Sequence, residues 1–375
     1  MVDIMTDDYS ANSGSQQITI QTITPYILKE FKSYIHKNLN AIKQRKFLQI
    51  ADLGCADGKN DTQLLFQLVK IVRKEISEDF QINIYMNDLP STNASTIIKN
   101  VSLEIHDQNV LFFAVPKSFY EKLFPKNFID VFLCLTTIHW LDKKHPAPYD
   151  KFVEDFNTLE CFHHTQDEQG DYTKSKIYKH QEQTLQRFLR MRVKEMTSGG
   201  AIFVGNLIPT SDVQNVDEKF EIFRLIRKQL REDLEQNDIP TSTINKMNLN
   251  AAQRHKKEYF NAIQNDKDLN DQLHIVLTEE IAFEDPLTHQ FMQNKINAAQ
   301  FGKLYSDWWK AFSYNAYQAI LTEHKVDEET AKEILNKYYE KVADIYAFNY
   351  EKVPTHLTAL ICIMELKELN QVDAQ

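Results

Sequence analysis

The sequence predicts an α/β fold: a seven-stranded, mostly parallel β-sheet with an antiparallel last strand, joined to a helical cap. Two observations predict it. In the first half of the chain, short apolar segments alternate with longer segments that carry apolar residues at helical spacing. In the second half, long polar and helix-forming stretches surround two further apolar segments. Because strands that alternate with helices form parallel sheets covered on both faces, we expect the first half to build most of the sheet.

Seven apolar segments are predicted as strands, since they are rich in β-branched and aromatic residues and are bounded by turn-forming residues. They are residues 47–54, 81–86, 109–115, 129–135, 201–208, 274–283 and 356–366. The first reads FLQIADLG, which is typical of a buried strand that ends in a glycine turn. The last two are separated by mostly helical sequence, and we expect them to form a terminal antiparallel pair.

Helices are predicted between these strands. Residues 60–76 have an apolar face formed by Leu64, Leu65, Leu68, Ile71 and Val72. Residues 181–196 have a similar face, and the Ser-Gly-Gly sequence at 198–200 is a helix-stop signal. Three long polar stretches lie at 142–197, 210–270 and 286–350, and apart from the helix that leads into the fifth strand we expect them to form a cap over one end of the sheet.

Two regions of the chain follow from this assignment. Residues 1–208 are expected to form mainly the ligand-binding α/β core, with an N-terminal lid segment and a helical insert. Residues 209–375 are expected to form helical cap segments together with the last two core strands, at about 274–283 and 356–366.

The composition excludes several classes of protein. The chain has 375 residues with 43 basic and 53 acidic side chains, so its formal net charge is −10. This balance argues against a protein that binds nucleic acid through a general basic field. No apolar segment approaches the ~18 residues of a membrane span, and the polar N-terminus has no signal-peptide core. The four cysteines lack C-x-x-C spacing, so we expect no disulfide framework or zinc site, and a cytoplasmic location.

The loop after the first predicted strand points to a ligand. It reads DLGCADGKN from Asp52 to Asn60, with Gly54 and Gly58 four residues apart. A glycine turn between a strand and a helix brings backbone N–H groups to the carboxyl end of the sheet, where open α/β folds bind ligands. A dinucleotide site needs G-x-G-x-x-G so that the backbone can approach a pyrophosphate, and the middle glycine is missing here. The loop therefore favours a ligand without pyrophosphate, although by itself it could be an ordinary turn of another α/β protein.

S-adenosylmethionine (SAM) is a ligand of that kind, with an amino-acid end, a sulfonium, a ribose and an adenine. Asp88 ends the second predicted strand, where a carboxylate can accept hydrogen bonds from both ribose hydroxyls. Leu89 can pack on the adenine. The loop and this acid together favour a SAM-dependent methyltransferase.

Further motifs occur in the order of one known family. They are YSANSGSQ at 9–16, DLGC at 52–55, NDLP at 87–90, VPKSFY at 115–120 with LFP at 123–125, IHWL at 138–141, and FLRMR at 188–192. In this order they resemble the SABATH family, the methyltransferases of salicylic, benzoic and jasmonic acids and of the xanthine alkaloids. The resemblance covers about residues 9–208 well and the rest weakly. It implies the class I SAM-methyltransferase fold, SAM as the cofactor and a small-molecule carboxylic acid as the substrate.

The resemblance also implies roles for individual residues. Those assigned to the cofactor are Tyr9, Ser13, Asp52, Gly54, Cys55, Asn60, Asp88, Leu89, Ser118 and Phe119. Those assigned to the methyl acceptor are Gln16, Thr136, His139 and Trp140, and Thr136 stands where many members have tyrosine. Some members have a magnesium site, but its sequences are not matched here, so no metal is expected. Because members are often dimers, we expect a homodimer.

Methyl transfer to a carboxylate needs no general base, since an acceptor with a pKa of roughly 4 is already ionised at pH 7. The protein must place an acceptor oxygen within about 3–3.5 Å of the methyl carbon and exclude water. We expect the Gln16 amide and the Trp140 indole N–H to clamp the carboxylate. His139 would line the pocket or pair with a second polar group of the acceptor.

Other functions remain open at this point. The nearest is an N-methyltransferase of a small heterocycle, because Gln16 can serve either acceptor. A catalytically silent SAM-binding protein would be expected to lose Gln16, His139 and Trp140, which are retained. A nucleic-acid methyltransferase should show a clustered basic face, whereas the basic stretch at 224–231 is followed directly by acidic residues.

An aromatic group in the second half has two interpretations. Tyr305, Trp308, Trp309 and Phe312 could roof the acceptor pocket, or they could form the core between helices. We favour the helix core. The identity of the acceptor is not predicted, because the cap that should set it is the part where the resemblance fades.

Overall fold

The computed structural model describes residues 14–142, 176–208, 221–244, 246–247, 251 and 254–367. Its strands are β1 (Phe47–Leu53), β2 (Gln81–Asp88), β3 (Val110–Pro116), β4 (Ile129–Leu135), β5 (Met196–Ile208), β6 (Leu273–Glu284) and β7 (His356–Leu366). All seven predicted strands are confirmed, and the main difference is an earlier start of β5.

The strands form a seven-stranded sheet in the order β3-β2-β1-β4-β5-β7-β6. Strands β1 to β5 pair in parallel, whereas β7 runs antiparallel to both of its neighbours, β5 and β6. The predicted fold class is therefore confirmed. The chain moves outward from β1 through β2 to β3 and then returns to β4 on the other side of β1. At such a reversal the loops after the two neighbouring strands diverge and leave a crevice.

The described helices begin with α1, which precedes the sheet, and end with two long helices between β6 and β7. They are α1 (Gly14–Lys37), α2 (Leu39–Arg45), α3 (Lys59–Glu75), α4 (Ala94–Glu104), α5 (Lys176–Glu195), α6 (Glu221–Gln236), α7 (Thr241–Ile244), α8 (Lys256–Gln264), α9 (Lys267–Gln272), α10 (Pro286–Met292), α11 (Ala298–Glu323) and α12 (Glu328–Phe348). The helix predicted over 60–76 is α3, which buries Leu64, Leu65 and Leu68 as expected. Among the described helices, none has the length and apolar character that crossing a bilayer requires.

Alternating side chains of the strands build an apolar layer on each face of the sheet. In β1, Leu48 and Ile50 belong to the layer that includes α1 and α3. Ala51 and Leu53 belong to the opposite layer, which includes α5 and α8. Removal of such apolar surface from water, at about 25 cal/mol per Å², holds the helices on the sheet. The carboxyl end of β1 is thus anchored from both faces.

The boundary between α5 and β5 differs from the prediction. The helix ends at Glu195, close to the expected position, but β5 begins already at Met196. Gly199 and Gly200 therefore lie inside the strand and do not stop the helix. Gly199 has a φ of 74°, and the register between β4 and β5 shifts near the start of β5. The glycines accommodate an irregularity of the β-bulge type, which a local sequence pattern does not distinguish from a helix stop.

The cap is an apolar cluster of its own, formed chiefly by α6, α11 and α12. Trp309 is fully buried within it and donates from its indole nitrogen to the hydroxyl of Tyr338 at 2.9 Å. Helices α11 and α12 approach closely at Gly302, where a Cβ atom would collide with the carbonyl oxygen of Ala343. Trp140, which follows β4, packs against this cluster. The predicted division of the chain at 208 adjoins residues outside the described part and stays a prediction.

Candidate active site

A cavity of about 110 Å³, open to solvent, lies at the carboxyl ends of the parallel strands. Its wall is formed by the segments that follow β1, β2, β3 and β4. The predicted site residues on this wall are Gly54, Cys55, Asn60, Asp88, Leu89, Ser118, Phe119, Thr136 and Trp140. This is the crevice expected where the strand order reverses.

The other predicted site residues lie elsewhere. Asp52, at the end of β1, is 1% exposed and is not part of the wall. Gln16 lies in the first turn of α1, and His139 directly precedes Trp140 in the chain. Neither of these two residues lines the cavity. Tyr9 and Ser13 lie outside the described residues.

The loop after β1 has three positive φ angles, at Gly54 (78°), Ala56 (50°) and Gly58 (82°). At Gly54 a Cβ atom would also collide with the side chain of Thr137. Both the positive φ angle and this close contact therefore require glycine there. The N–H groups of Gly54 and of the next residue donate to the carbonyl oxygen of Asn87, at 2.7 and 3.1 Å. The loop is therefore fastened to the end of β2.

Asn87 also holds the segment after β3. Its side-chain amide is buried and donates to the carbonyl oxygens of Val115 and Lys117, each at 2.7 Å. These bonds position Ser118 and Phe119 on the cavity wall. One residue therefore joins three loops, and this structural role was not identified in the sequence.

Asp88 is fixed by three donors from the protein. Its Oδ1 accepts from the backbone N–H of Leu89 and from the hydroxyl of Thr92, and its Oδ2 accepts from the N–H of Ala56, each at 2.7 Å. Burial raises the pKa of Asp88, and these hydrogen bonds oppose the rise. A carboxylate accepts about four hydrogen bonds, so about one further acceptor position is open. The expectation that Asp88 accepts from both ribose hydroxyls would therefore require a shared hydrogen bond.

Asp61 lines the cavity but was missed in the sequence analysis. It lies in the first turn of α3, where the helix dipole favours acidic side chains, and this was the available signal. Asp61 is 4% exposed and lies within hydrogen-bonding reach of Asp52. Burial raises the pKa of Asp61 to about 7 although the hydrogen bond with Asp52 opposes this, and burial raises the pKa of Asp52 well above its usual range. Burial therefore favours the protonated form at both carboxyl groups.

Trp140 and His139 mark the other end of the site. Trp140 lines the cavity and offers an indole N–H, and its carbonyl oxygen accepts from the hydroxyl of Tyr120 at 2.6 Å. The ring of His139 lies 5.4 Å from that of Trp140. Burial, together with the charge of Arg254, lowers the pKa of His139 to about 4. His139 is therefore neutral at pH 7 and cannot supply a positive charge to an acceptor.

Arg254 and Tyr120 were also missed in the sequence. Arg254 is buried and donates from Nε to the carbonyl oxygen of Ile138 at 2.8 Å. It thereby supports the backbone just before His139. No local motif marks Arg254, and although Tyr120 ends the motif at 115–120, the contacts of both residues are with residues distant in sequence.

The aromatic group of the cap divides between the two predicted roles. Trp309 belongs to the helix core, as favoured. Trp308 is only partly buried, and its indole nitrogen lies 3.3 Å from Oε1 of Gln16. The cap therefore reaches a residue that was assigned to the acceptor.

Comparison with known proteins extends this description. A family model described as SAM dependent carboxyl methyltransferase matches residues 5–367. Indole-3-acetate O-methyltransferase 1 of Arabidopsis thaliana is 30% identical over 222 residues, which cover 55% of this chain and 56% of that protein. A protein named as a probable 7-methylxanthine methyltransferase, from Camellia ptilophylla, is 21% identical over 371 residues, or 95% of this chain and 94% of that one. The chain thus spans about half the length of the first relative and nearly all of the second.

Among solved structures, loganic acid methyltransferase with SAH has the same fold. The TM-score is 0.74 at 20% sequence identity, and the alignment covers 99% of this chain and 100% of that one. This likeness supports the arrangement of sheet and cap as a whole.

Proposed function

Since the chain belongs to the family of SAM-dependent carboxyl methyltransferases, we propose that it transfers the methyl group of SAM to the carboxylate of a small-molecule acid and releases a methyl ester. The resemblance to the SABATH family is confirmed by that match. The observation that carries the proposal is the cavity itself. It brings the glycine loop, Asp88 and Trp140 to one crevice at the reversal of strand order.

The residues that line the cavity fit the cofactor. SAM carries a net positive charge. Asp61 and Asp88, two acidic residues, both line the cavity and would attract such a ligand. Asp88 would accept from the ribose, while Leu89 and Phe119 would contact the adenine. Asn60, at the start of α3, would receive the carboxylate of the amino-acid end, where the helix dipole also favours an anion. When bound, the cofactor supplies an electrophilic methyl group on a sulfonium.

The acceptor would be held by donors and not by a base. Trp140 offers an indole N–H, and Gln16 offers its amide NH₂ once its oxygen is engaged by Trp308. His139 is neutral and would line the pocket. Positioning a preformed carboxylate in this way lowers the entropic part of the barrier, and closure by the cap would exclude water from the reacting oxygen.

The direct test is methyl transfer from radiolabelled SAM to a panel of small carboxylic acids and nitrogen heterocycles. Solvent-extractable label on an acid, lost on mild alkaline hydrolysis, is the expected result. Absence of transfer with saturable SAM binding across a broad panel of acids would favour a silent SAM-binding protein instead.

N-methylation of a small heterocycle is the second candidate. It is favoured by the full-length similarity to the relative named as a 7-methylxanthine methyltransferase and by the neutral His139, which can accept or donate. Alkali-stable label on a heterocycle in the same panel would support it.

We also propose that the protein is a cytoplasmic homodimer, as expected from the family and from its cysteine usage. Light scattering on the purified chain would test the dimer, and fractionation of the source cell would test the location.

A further inference from the structure

One buried carboxyl group on the cavity wall, that of Asp61, pairs with a second buried carboxyl group behind the wall, that of Asp52, and the proposed reaction does not by itself require this pair. Asp61 is 4% exposed and Asp52 is 1% exposed, and the two lie within hydrogen-bonding reach of each other. No other donor among the described residues reaches Asp52 Oδ2 or Asp61 Oδ1. A buried carboxylate without donors is unfavourable, so such a pair is completed by a shared proton or by a cationic ligand.

The position of Asp61 in the cavity indicates which part of the cofactor it would contact. Asp61 is on the cavity wall next to Asn60, at the start of α3, whereas Asp88 and Leu89 form the wall at the end of β2. If Asp88 and Leu89 take the nucleoside, the amino-acid end of the cofactor extends toward Asn60 and Asp61. The carboxylate and ammonium of an amino acid are attached to the same carbon, so the ammonium would meet Asp61 when the carboxylate meets Asn60.

We propose that Asp61, paired with Asp52, is the docking site for the α-ammonium of the cofactor, and that cofactor binding expels the proton which the pair shares. This inference rests on the proposed function, since it assumes that the cavity binds SAM. In the empty site, protonated Asp52 donates to the Asp61 carboxylate. In the complex, the ammonium donates to the pair, the proton passes to solvent, and both carboxyl groups are ionised.

Several other titratable groups face this pair. They are Asp57 in the same loop, Asp88 at the end of β2, and the thiols of Cys55 and Cys134. Burial raises the pKa of both thiols, so these stay neutral below pH 7. Two basic side chains are close by. Lys59 pairs with Asp57, and Lys117 lines the cavity but is exposed. Burial raises the pKa of both carboxyl groups, that of Asp61 to about 7, so the free pair retains a proton that a cationic ligand can displace.

The experiment is isothermal titration calorimetry of the full chain with S-adenosylhomocysteine, in buffers of different ionisation enthalpy, between about pH 5.5 and 7.5. The wild type is expected to release at least about one proton per ligand near pH 6, and its affinity is expected to weaken by at least about tenfold per pH unit below 7. The matched ligand is 5′-methylthioadenosine, which has the adenine, ribose and thioether but no ammonium. It should bind without this proton release, so any contribution of Asp88 is subtracted.

Two variants complete the test. Asp61→Asn keeps the shape of the side chain, and its amide can donate to an ionised Asp52. Proton release on binding of S-adenosylhomocysteine should therefore fall below about a fifth of the wild-type value. The affinity for S-adenosylhomocysteine near pH 7.5 should weaken about tenfold. Asp57→Asn removes a neighbouring charge outside the cavity wall and should retain most of the proton release. Binding of S-adenosylhomocysteine without proton release, or release unchanged in Asp61→Asn, would overturn the inference while leaving the proposed function intact. If neither ligand binds to the wild type, the proposed function and the inference fail together.

Discussion

The indole nitrogen of Trp308, on the long cap helix α11, donates to the side-chain oxygen of Gln16 in the first turn of α1 across 3.3 Å. The two residues are 292 positions apart in the sequence. Because the amide oxygen is engaged, the NH₂ group of Gln16 is the part that can face an acceptor carboxylate. The cap thereby orients a residue that the sequence assigns to substrate binding.

Replacement of Trp308 tests this relationship. Trp308→Phe keeps an aromatic ring but removes the donor, and loss of one such bond is worth about 1 kcal/mol. We expect the KM for the acid to rise about fivefold, with the Kd for S-adenosylhomocysteine unchanged. The matched control is Trp309→Phe, which removes the bond to Tyr338 inside the cap core. It should lower stability and leave the KM alone; equal effects of both variants on the KM would argue against a role in orienting Gln16.

Trp140 gives a second prediction. Trp140→Phe removes the indole N–H from the cavity wall, and a hydrogen bond to a charged group is worth about 1.5–3 kcal/mol. We therefore expect kcat/KM for an acid acceptor to fall at least about tenfold, while affinity for S-adenosylhomocysteine, measured by calorimetry, is retained. Unchanged kinetics would eliminate the proposed carboxylate clamp.

The close approach of the two cap helices predicts a stability effect. Gly302→Ala places a methyl group against the carbonyl oxygen of Ala343, and such overpacking typically lowers stability by about 1–3 kcal/mol. Gly14→Ala is the matched control, because nothing lies within 4 Å of a Cβ atom there. Urea unfolding should show a lower midpoint for Gly302→Ala and little change for Gly14→Ala. A similar midpoint for both would mean that the helices can separate without loss.

His139 predicts how stability depends on pH. Its pKa in the folded protein is lowered to about 4 by burial and by Arg254, whereas an unfolded histidine titrates near about 6.5. Below about pH 6.5 the unfolded chain binds a proton that the folded chain does not, so stability is lost as the pH falls toward 4. His139→Gln should reduce this loss when the free energy of unfolding is compared at pH 7 and pH 5.

The same shift predicts the rate profile. With His139 neutral and the acceptor ionised, kcat at saturating cofactor should be flat between about pH 6 and 8. A bell-shaped profile with a limb near about pH 6.5 would instead assign acid–base work to a histidine.

The sequence predicted the strands and the glycine loop, because the conformation of each is determined mainly by residues that are close together in the chain. Apolar segments marked all seven strands, and the spacing of Gly54 and Gly58 argued against a pyrophosphate-binding loop. The motif order identified the family, and most of its assigned residues converge on one cavity. The exception within the local patterns was the Gly199-Gly200 pair, because glycine permits both a helix end and a strand irregularity.

The tertiary structure alone decided which side chains meet. The pairing of Asp61 with Asp52 places two carboxyl groups together only when the first turn of α3 lies over the end of β1. The contact between Trp308 and Gln16 needs the cap to fold back over α1. Burial, and hence the pKa of Asp61 or His139, is a property of the whole surrounding packing and leaves no trace in a local pattern. The sequence by itself therefore determined the family. Long-range packing decided the charge state of the buried side chains at the site and the orientation of Gln16.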